Sequence, residues 1–283
     1  MPEVEPLPTT PRKERILALV TPREHGAWGM MLVPLLVGGV VGWLRDGAPG
    51  PLFWLTACAI CTFWLRTPVE ALLGTTPLRA QSSQERTAVI RIAGALTLAT
   101  LACLAMLLRP GNVRGLLALG SLCAAAFAAQ ALLKMRGNRF RMTAQLLGAI
   151  SLTATGPAAY YLMTGRFDAV CWVLWVINWL FAANQIMFVQ LRIHSARSGT
   201  WAERWAKGRV FLGIEIVLLG LLFAMSQVGW VSSWAILCFV PALWRGVAWF
   251  FSTGRVLNVR RLGWTELAHA VTFGVLFVAS FRL

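Results

Sequence analysis

Charged residues are scarce in this chain. They make up 13% of its 283 residues, whereas hydrophobic residues make up 58% and fourteen residues are Trp. A water-soluble protein carries about a quarter charged residues. Because apolar runs of membrane length recur along the chain, the composition excludes a soluble domain and predicts an integral membrane protein.

Acidic residues are scarcer still, since eleven Asp and Glu stand against 26 Lys and Arg, for a formal net charge of +15. A nucleic-acid-binding domain gathers its cations on one soluble face. Here the cations lie in the connections between apolar runs. We therefore expect no nucleic-acid partner and interpret the charge as a record of membrane topology.

Complete cysteine motifs and a signal-peptide cleavage site are also missing. The six Cys lie inside apolar runs, and Cys58 and Cys61 have no second pair or nearby His to complete a metal site. We expect free thiols. Residues 1–22 are polar and Pro-rich and lack the small residues at which a secretory signal is cleaved. They are predicted to form a cytoplasmic tail ahead of one transmembrane domain, residues 23–283.

Nine apolar stretches are long enough to cross a bilayer, since a helical span needs about twenty residues. The predicted fold class is therefore an all-α polytopic membrane protein with nine transmembrane helices. The stretches are residues 26–44, 51–73, 87–108, 114–133, 142–164, 168–189, 208–226, 230–251 and 264–281.

Lys and Arg are distributed unequally between the two sides of this nine-span arrangement. Of the 26, all but five lie at or near the side of the N-terminus, which is predicted to be cytoplasmic because cytoplasmic connections carry the excess of cations. The longest inner connections, 74–86 and 190–207, are polar, so we expect binding or chemistry there.

Three polar residues stand together where the first span begins, namely Arg23, Glu24 and His25. A cation anchors a helix at the membrane interface, and an acid complements the dipole of its first turn. An imidazole adds nothing to anchoring. The trio is therefore a candidate site, with an interfacial anchor as the alternative.

The second span carries Arg66 and Glu70, which lie four residues apart and share one face of a helix. Pro68 between them removes a helical hydrogen bond. Interrupted helices at membrane depth line cavities. The alternatives are a cavity lining and a simple intrahelical ion pair.

The sixth span is polar at two depths. Asn184 and Gln185 lie inside an apolar run, where polar groups cost free energy unless they are paired. Arg192 and His194 follow at the inner end of the span. A site there competes with the alternative of snorkelling cations on a helix end seated at the interface.

The seventh and ninth spans begin with charged residues. Lys207 and Arg209, with the backbone donors of a helix start, predict an anion site. Glu266 and His269 lie on one face and can form a hydrogen-bonded acid–imidazole pair. They can also be combined with the acid and imidazole of the first span into a metal site, but no spacing demands it and no metal is predicted.

Glu215 and Arg245 lie within the seventh and eighth spans, at similar depths of about 10 Å from the inner ends. The short outer connection makes these spans antiparallel neighbours. Because an unpaired charge inside a membrane costs several kcal/mol on most accounts, we predict a buried ion pair between the two residues.

The chain resembles two known groups of membrane proteins. The segments "PREHGAWGM", "FVQLRIH" and "GWTELAHA" are most similar to the YwiC-like bacterial membrane proteins, and this likeness covers nearly the whole chain. Nine spans, an inside N-terminus and two long polar inner connections more distantly resemble the UbiA superfamily of membrane prenyltransferases. These resemblances imply a UbiA-like helix bundle in the bacterial cytoplasmic membrane.

The chain departs from the UbiA pattern in its carboxylates. UbiA prenyltransferases use two Asp-rich motifs to hold Mg²⁺ against a prenyl diphosphate. This chain has two Asp, Asp46 and Asp168, both on predicted outer loops, and the matching positions read "RTPVE" and "VQLRIHSAR". Since Mg²⁺ prefers carboxylate oxygen, we expect no metal-dependent ionisation of the usual kind.

We expect the polar inner segments to converge on one cytoplasm-facing cationic cavity for a lipid-tailed molecule, an isoprenoid, a quinone or a related compound. One hypothesis is a divergent Mg-independent prenyltransferase-like enzyme, in which His25, Glu24 and His194 are catalytic. The alternative is a non-catalytic lipid- or quinone-binding protein, or a transporter. The predicted substrate-binding residues are Arg23, Arg66, Glu70, Asn184, Arg192, Lys207, Arg209, Glu266 and His269. The sequence identifies no cofactor and no oligomeric state.

Reporter fusions test the predicted topology. Because the cations lie mainly on the side of the N-terminus, fusions at Gly50, Gly111 and Gly165 should report the outside, and fusions at Gly137 and Gly199 the inside. Paired reporters that are active on opposite sides of the membrane measure this. A cytoplasmic signal at Gly111 contradicts the nine-span arrangement.

Overall fold

The computed structural model describes residues 12–22, 25–74, 78–109, 113–196, 200–251 and 257–281. The regular elements of these residues are α-helices and one 3-10 turn, at Asn138–Phe140. The α-helices are α1 (Arg12–Val20), α2 (His25–Trp43), α3 (Gly50–Leu73), α4 (Ser83–Leu108), α5 (Val113–Met135), α6 (Arg141–Thr153), α7 (Thr155–Thr164), α8 (Ala169–His194), α9 (Trp201–Gln227), α10 (Trp234–Leu237), α11 (Val240–Phe251) and α12 (Val259–Ser280).

The predicted fold class, an all-α polytopic membrane protein, is confirmed. Eight segments of the described chain are long and apolar enough to cross a membrane, and α6 and α7 together make one of them. They correspond to the first seven predicted spans and the ninth. The six Cys are free, as predicted.

The eighth predicted span, 230–251, is not one helix, so the count of nine is not confirmed. It is divided between the four-residue α10 and the twelve-residue α11. Pro241 gives the physical reason, because it has no backbone N–H to donate to Leu237 and its ring would clash with that carbonyl. The turn between the two helices is closed by i to i−3 hydrogen bonds from Cys238 and Phe239.

Several helices begin before the apolar runs that predicted them. The side chains of Ser82, Thr200 and Asn258 accept hydrogen bonds from the first turns of α4, α9 and α12. Such caps satisfy the free N–H groups of a helix start. The connection predicted at 190–207 is therefore largely helical, up to His194 and again from Trp201.

The chain forms two compact units, of which the first comprises residues up to 24 together with 54–109. In this unit Leu19 and Val20 of α1 are buried in one cluster with Ala71 and Val89. Arg15 forms a salt bridge with Glu85 of α4 at 2.7 Å. Part of the segment predicted to be a polar tail is thus a helix that packs within the first unit.

The second unit comprises residues 25–53 and 110–283, and its helices α2 and α7 meet at two glycines. A Cβ placed on Gly38 would lie 1.9 Å from the carbonyl oxygen of Gly156. Gly42, four residues further along α2, lies against Met163. Small residues at this spacing let helix backbones approach closely in a membrane.

The glycine contact makes a testable prediction for stability. Gly38→Ala should lower the melting temperature in detergent, since a methyl group cannot fit without moving a helix backbone, at a cost of about 1–3 kcal/mol or more. Gly220→Ala in α9 is the matched control, because its added Cβ would meet no atom within 4 Å apart from its chain neighbours and the backbone of its own helix. Equal melting of the two variants would contradict the close crossing of α2 and α7.

Candidate functional site

Four helices of the second unit each bring polar side chains to one buried place. Helix α8 contributes Asn184 and Gln185, α9 contributes Glu215, α11 contributes Arg245 and α12 contributes Glu266. The side chains of Arg245 and Glu266 are each 8% exposed, and the other three residues are buried. We name these five residues the buried polar cluster.

The cluster lies well inside the helices that form it. Arg245 is six residues before the end of α11, about 9 Å, and Glu266 is seven residues after the start of α12, about 10 Å. Lys207 Nζ donates to the carbonyl of His194 at 3.4 Å, so the end of α8 lies beside the first turns of α9. The C-terminal ends of α8 and α11 and the N-terminal ends of α9 and α12 therefore lie on the same side of the cluster, which is the predicted cytoplasmic side.

The guanidinium of Arg245 is the centre of the cluster. Its Nη1 bonds Glu266 Oε2, and its Nη2 donates to Asn184 Oδ1 at 2.9 Å. The Nδ2 of Asn184 in turn donates to Glu215 Oε1 at 2.7 Å. The ring of Phe188 lies 4.1 Å from the guanidinium carbon, in cation–π contact. The result is a continuous chain of polar contacts from Glu215 to Glu266.

Two neighbours fix the position of this chain. Gln185 Nε2 donates to the backbone carbonyl of Glu266 at 2.7 Å and so links α8 to α12. Gly246, next to Arg245, leaves room for Glu215, since a Cβ there would lie 3.2 Å from Glu215 Oε1 and 2.9 Å from the ring of Phe211. Helices α9 and α11 therefore approach closely enough to shield the carboxylate.

The prediction of a direct ion pair between Glu215 and Arg245 is wrong, because the ionic partner of Arg245 is a different residue. Both residues are buried, and α9 packs against α11 as the short connection predicted. However, Arg245 pairs with Glu266, and Glu215 reaches it only through Asn184. The sequence identifies α9 and α11 as neighbours but does not show that α8 and α12 supply groups between them.

The cluster leaves part of its hydrogen-bonding capacity unused. Glu215 Oε2, Glu266 Oε1 and Arg245 Nε are buried and have no hydrogen-bond partner among the described residues. Two carboxylates and one guanidinium give the cluster a formal charge of −1. Buried polar groups are almost always paired, so these three atoms mark a place where a proton or ligand is to be sought.

Arg192 lies outside the cluster but close to it. It is half-buried near the end of α8, and seven residues separate it from Gln185, which places both on one face of the helix. It interacts electrostatically with Glu266. It forms no hydrogen bond or ion pair with any other residue in the described ranges, and so presents an available cation beside the cluster.

The other predicted residues at this end are more exposed. His194 Nδ1 lies 2.8 Å from the carbonyl of Gln190 one turn earlier, and its ring is exposed. Lys207 reaches the carbonyl of His194, and Arg209 is exposed on α9. A catalytic role for His194 and anion binding by the two cations stay predictions.

The predicted hydrogen bond between Glu266 and His269 is not formed. The Nδ1 of His269 lies 2.7 Å from the carbonyl of Thr265, while the Glu266 carboxylate turns to Arg245. Within the described parts of the chain there is no group of three or more His, Cys, Asp and Glu that could hold a metal ion.

The remaining predicted site residues belong to other parts of the chain. In the first unit Arg66 Nε bonds Glu70 Oε1 at 3.0 Å, which is the intrahelical ion pair expected as one alternative. Arg23 and Glu24 lie outside the described residues, and so does the side chain of His25, whose backbone begins α2. The convergence of these residues with Arg192 and Glu266 on one cavity stays a prediction.

Three members of the cluster were absent from the predicted site, namely Gln185, Glu215 and Arg245. Each carried a usable signal, because each is a polar residue inside an apolar run. Polar and ionisable residues inside a membrane are costly, and they mark a functional site by default. The rule predicts that Gln185 needs a partner and that Glu215 and Arg245 pair, but it does not show that they join Asn184 and Glu266 in one cluster.

Comparison with known proteins bears on the identity of the chain. Residues 21–160 match the YwiC-like protein family. A protein of Bacillus subtilis (strain 168), named "Uncharacterized protein YwiC", is 25% identical over 252 residues, which cover 89% of this chain and 94% of that protein. The chain is a YwiC-like membrane protein. No solved structure matches it, so a UbiA-like arrangement of its helices stays an expectation. All five residues of the buried polar cluster lie C-terminal to the segment 21–160 that matches the family.

The ion pair between Arg245 and Glu266 can be tested by stability. Arg245→Gln leaves the buried carboxylate of Glu266 without its cation, and breaking a buried pair costs about 3–5 kcal/mol. The double variant Arg245→Gln with Glu266→Gln removes this carboxylate and should melt at a higher temperature than Arg245→Gln alone. Arg261→Gln, which alters an exposed cation at the start of α12, should melt like the wild type. A double variant that melts below the single one shows that the two residues are not coupled.

Proposed function

We propose that this YwiC-like protein binds a lipid-tailed molecule, such as an isoprenoid or quinone, at the cytoplasmic end of its second unit in the bacterial inner membrane. The observation that carries the proposal is the position of Arg192. This cation is half-buried beside the buried polar cluster and has no hydrogen-bond or salt-bridge partner in the described chain; the nearest charges that act on it are those of Glu266 and Arg204.

The charge of the cluster indicates where the head group lies. Both Nη atoms of Arg245 are already bonded, and the cluster carries a formal charge of −1. An anionic or carbonyl-bearing head group is therefore expected at the ends of the helices, near Arg192, Lys207 and Arg209, and not at the cluster itself. The predicted cationic cavity is in this way confined to the outermost turns of α8 and α9.

Aromatic residues support a membrane interface at this end of the second unit. Trp201 and Trp205 of α9 are exposed and stacked, with ring centroids 5.7 Å apart, and Trp205 also contacts Phe250 of α11. Trp264 is also exposed, five residues after the start of α12. Trp is enriched where a membrane protein meets the lipid head groups, so a bound head group would lie at this level, with its tail among the apolar helices.

Binding without catalysis is the simpler form of the proposal. A prenyltransferase-like reaction needs catalytic groups, and His194 already faces the carbonyl of its own helix. The UbiA-like, Mg-independent enzyme with Glu24, His25 and His194 as catalytic residues therefore stands as the alternative.

Transport is a second candidate function, favoured by one observation. Arg245 lies on α11, which begins after the break that separates it from α10. Interrupted helices beside buried charged residues occur at the binding sites of secondary transporters. In that case the protein would transport the lipid-tailed molecule across the membrane, and the head group would still bind first at Arg192 when it enters from the predicted cytoplasmic side.

Mass spectrometry of lipids that co-purify with the protein tests the proposal. The wild type should retain one class of anionic or carbonyl-bearing lipid above its share in the membrane. Arg192→Gln should reduce that retention at least about tenfold, because a hydrogen bond to a charged group contributes about 1.5–3 kcal/mol. Arg260→Gln is the matched control, since it removes an exposed cation at the same end. Equal lipid profiles for all three proteins would reject the proposal.

A further inference from the structure

The buried polar cluster contains one more carboxylate than it has cations. Glu266 bonds Arg245 directly, so its charge has a partner. Glu215 is joined to that guanidinium only through the neutral amide of Asn184. Glu215 is 4% exposed, and its Oε2 has no hydrogen-bond partner among the described residues. The surplus negative charge therefore belongs to Glu215.

The surroundings of the two carboxylates differ in the charges that face them. Among the described residues, Glu266 forms a salt bridge with Arg245, and His269 lies three residues further along the same helix. Glu215 forms no salt bridge with any described residue, and its hydrogen-bond partner is the neutral amide of Asn184. Helix α10 carries no charge, and the three cations of α9, Arg204, Lys207 and Arg209, lie in its first nine residues, at least six residues before Glu215. No second cation therefore compensates Glu215.

We propose that Glu215 binds one proton on Oε2, which makes the buried polar cluster electrically neutral. A carboxylate that is removed from water without a counter-charge is so costly that such a group takes up a proton instead. The amide of Asn184 favours protonation of Oε2 over protonation of Oε1. Its Nδ2 already donates to Oε1, so Oε2 is the oxygen without a donor. The proposal is independent of which lipid the protein binds.

A proton fits this place better than a metal cation. A metal ion needs several oxygen ligands around it, and Glu215 Oε2 has no polar neighbour at hydrogen-bond distance among the described residues. A proton needs one carboxyl oxygen. Protonatable carboxyl groups inside membrane spans are the elements of proton relays in pumps and transporters. Glu215 would thus give this protein a proton-exchanging group inside the buried polar cluster, away from the proposed head-group position at Arg192, Lys207 and Arg209.

Infrared spectroscopy of the purified full-length protein tests the proposal. At neutral pH the wild type should show the C=O stretching band of a protonated carboxyl group, and this band should shift in D₂O. Glu215→Gln should lose the band and still fold, because an amide has the size and the donor of a protonated carboxyl. Glu203→Gln, which replaces an exposed carboxylate at the start of the same helix, should keep the band.

Two further variants locate the proton. Asn184→Leu removes the donor to Glu215 Oε1, so the band should move to higher frequency; an unmoved band would place the proton on Glu266. Glu266→Gln leaves one carboxylate, that of Glu215, for the guanidinium of Arg245, so Glu215 should lose its proton and the band should disappear. This variant tests the proposal if Glu215→Gln fails to fold.

The proposal is overturned if the wild type has no such band, or if the band survives in Glu215→Gln or in Glu266→Gln. Sodium chloride provides the remaining arm. If the wild type lacks the band and sodium raises its melting temperature but not that of Glu215→Gln, the neutralising charge is a metal cation and not a proton.

Discussion

The packing of four helices in the second unit depends on the hydrogen bonds of the Arg245 guanidinium. This group bonds α12 through Glu266 and α8 through Asn184, and the amide of Asn184 extends the contact to α9. In a bilayer the lipid tails are as apolar as the side chains, so burial of apolar surface does not select one helix neighbour over another. A polar contact that joins four helices can make that selection. The glycine crossing of α2 and α7 selects by shape instead.

The position of Arg245 follows from the break before α11. A twelve-residue helix is about 18 Å long, which is shorter than the roughly 30 Å of a bilayer core. A free backbone group is costly at membrane depth, but Cys238 and Phe239 donate within the turn. Pro241 thus divides the segment without leaving these donors unpaired, and the short α11 holds Arg245 about 9 Å from its end.

Much of the fold could be predicted from apolar runs, because length and composition decide whether a helix can cross a membrane. The errors have local causes. Pro241 divides the segment 230–251, which is largely apolar, and the capping residues Ser82 and Thr200 start α4 and α9 before their apolar runs begin. In the site, Asn184 and Glu266 could be predicted as polar residues in apolar surroundings. The partner of Arg245 could not, because it depends on how α8 and α12 pack around α9 and α11.

Arg192 and the buried polar cluster lie at different distances from the end of α8, and this difference would separate the two proposed ligands, which have opposite charges. Arg192 lies two residues from the end of α8, whereas Asn184, which bonds both Arg245 and Glu215, lies ten residues from that end. An anionic head group would stop at Arg192, whereas the proposed proton belongs to Glu215. An anionic head group at Arg192 would add negative charge beside the buried polar cluster, so binding of the anion would favour retention of the proton on Glu215. By linkage the proton would favour the anion equally.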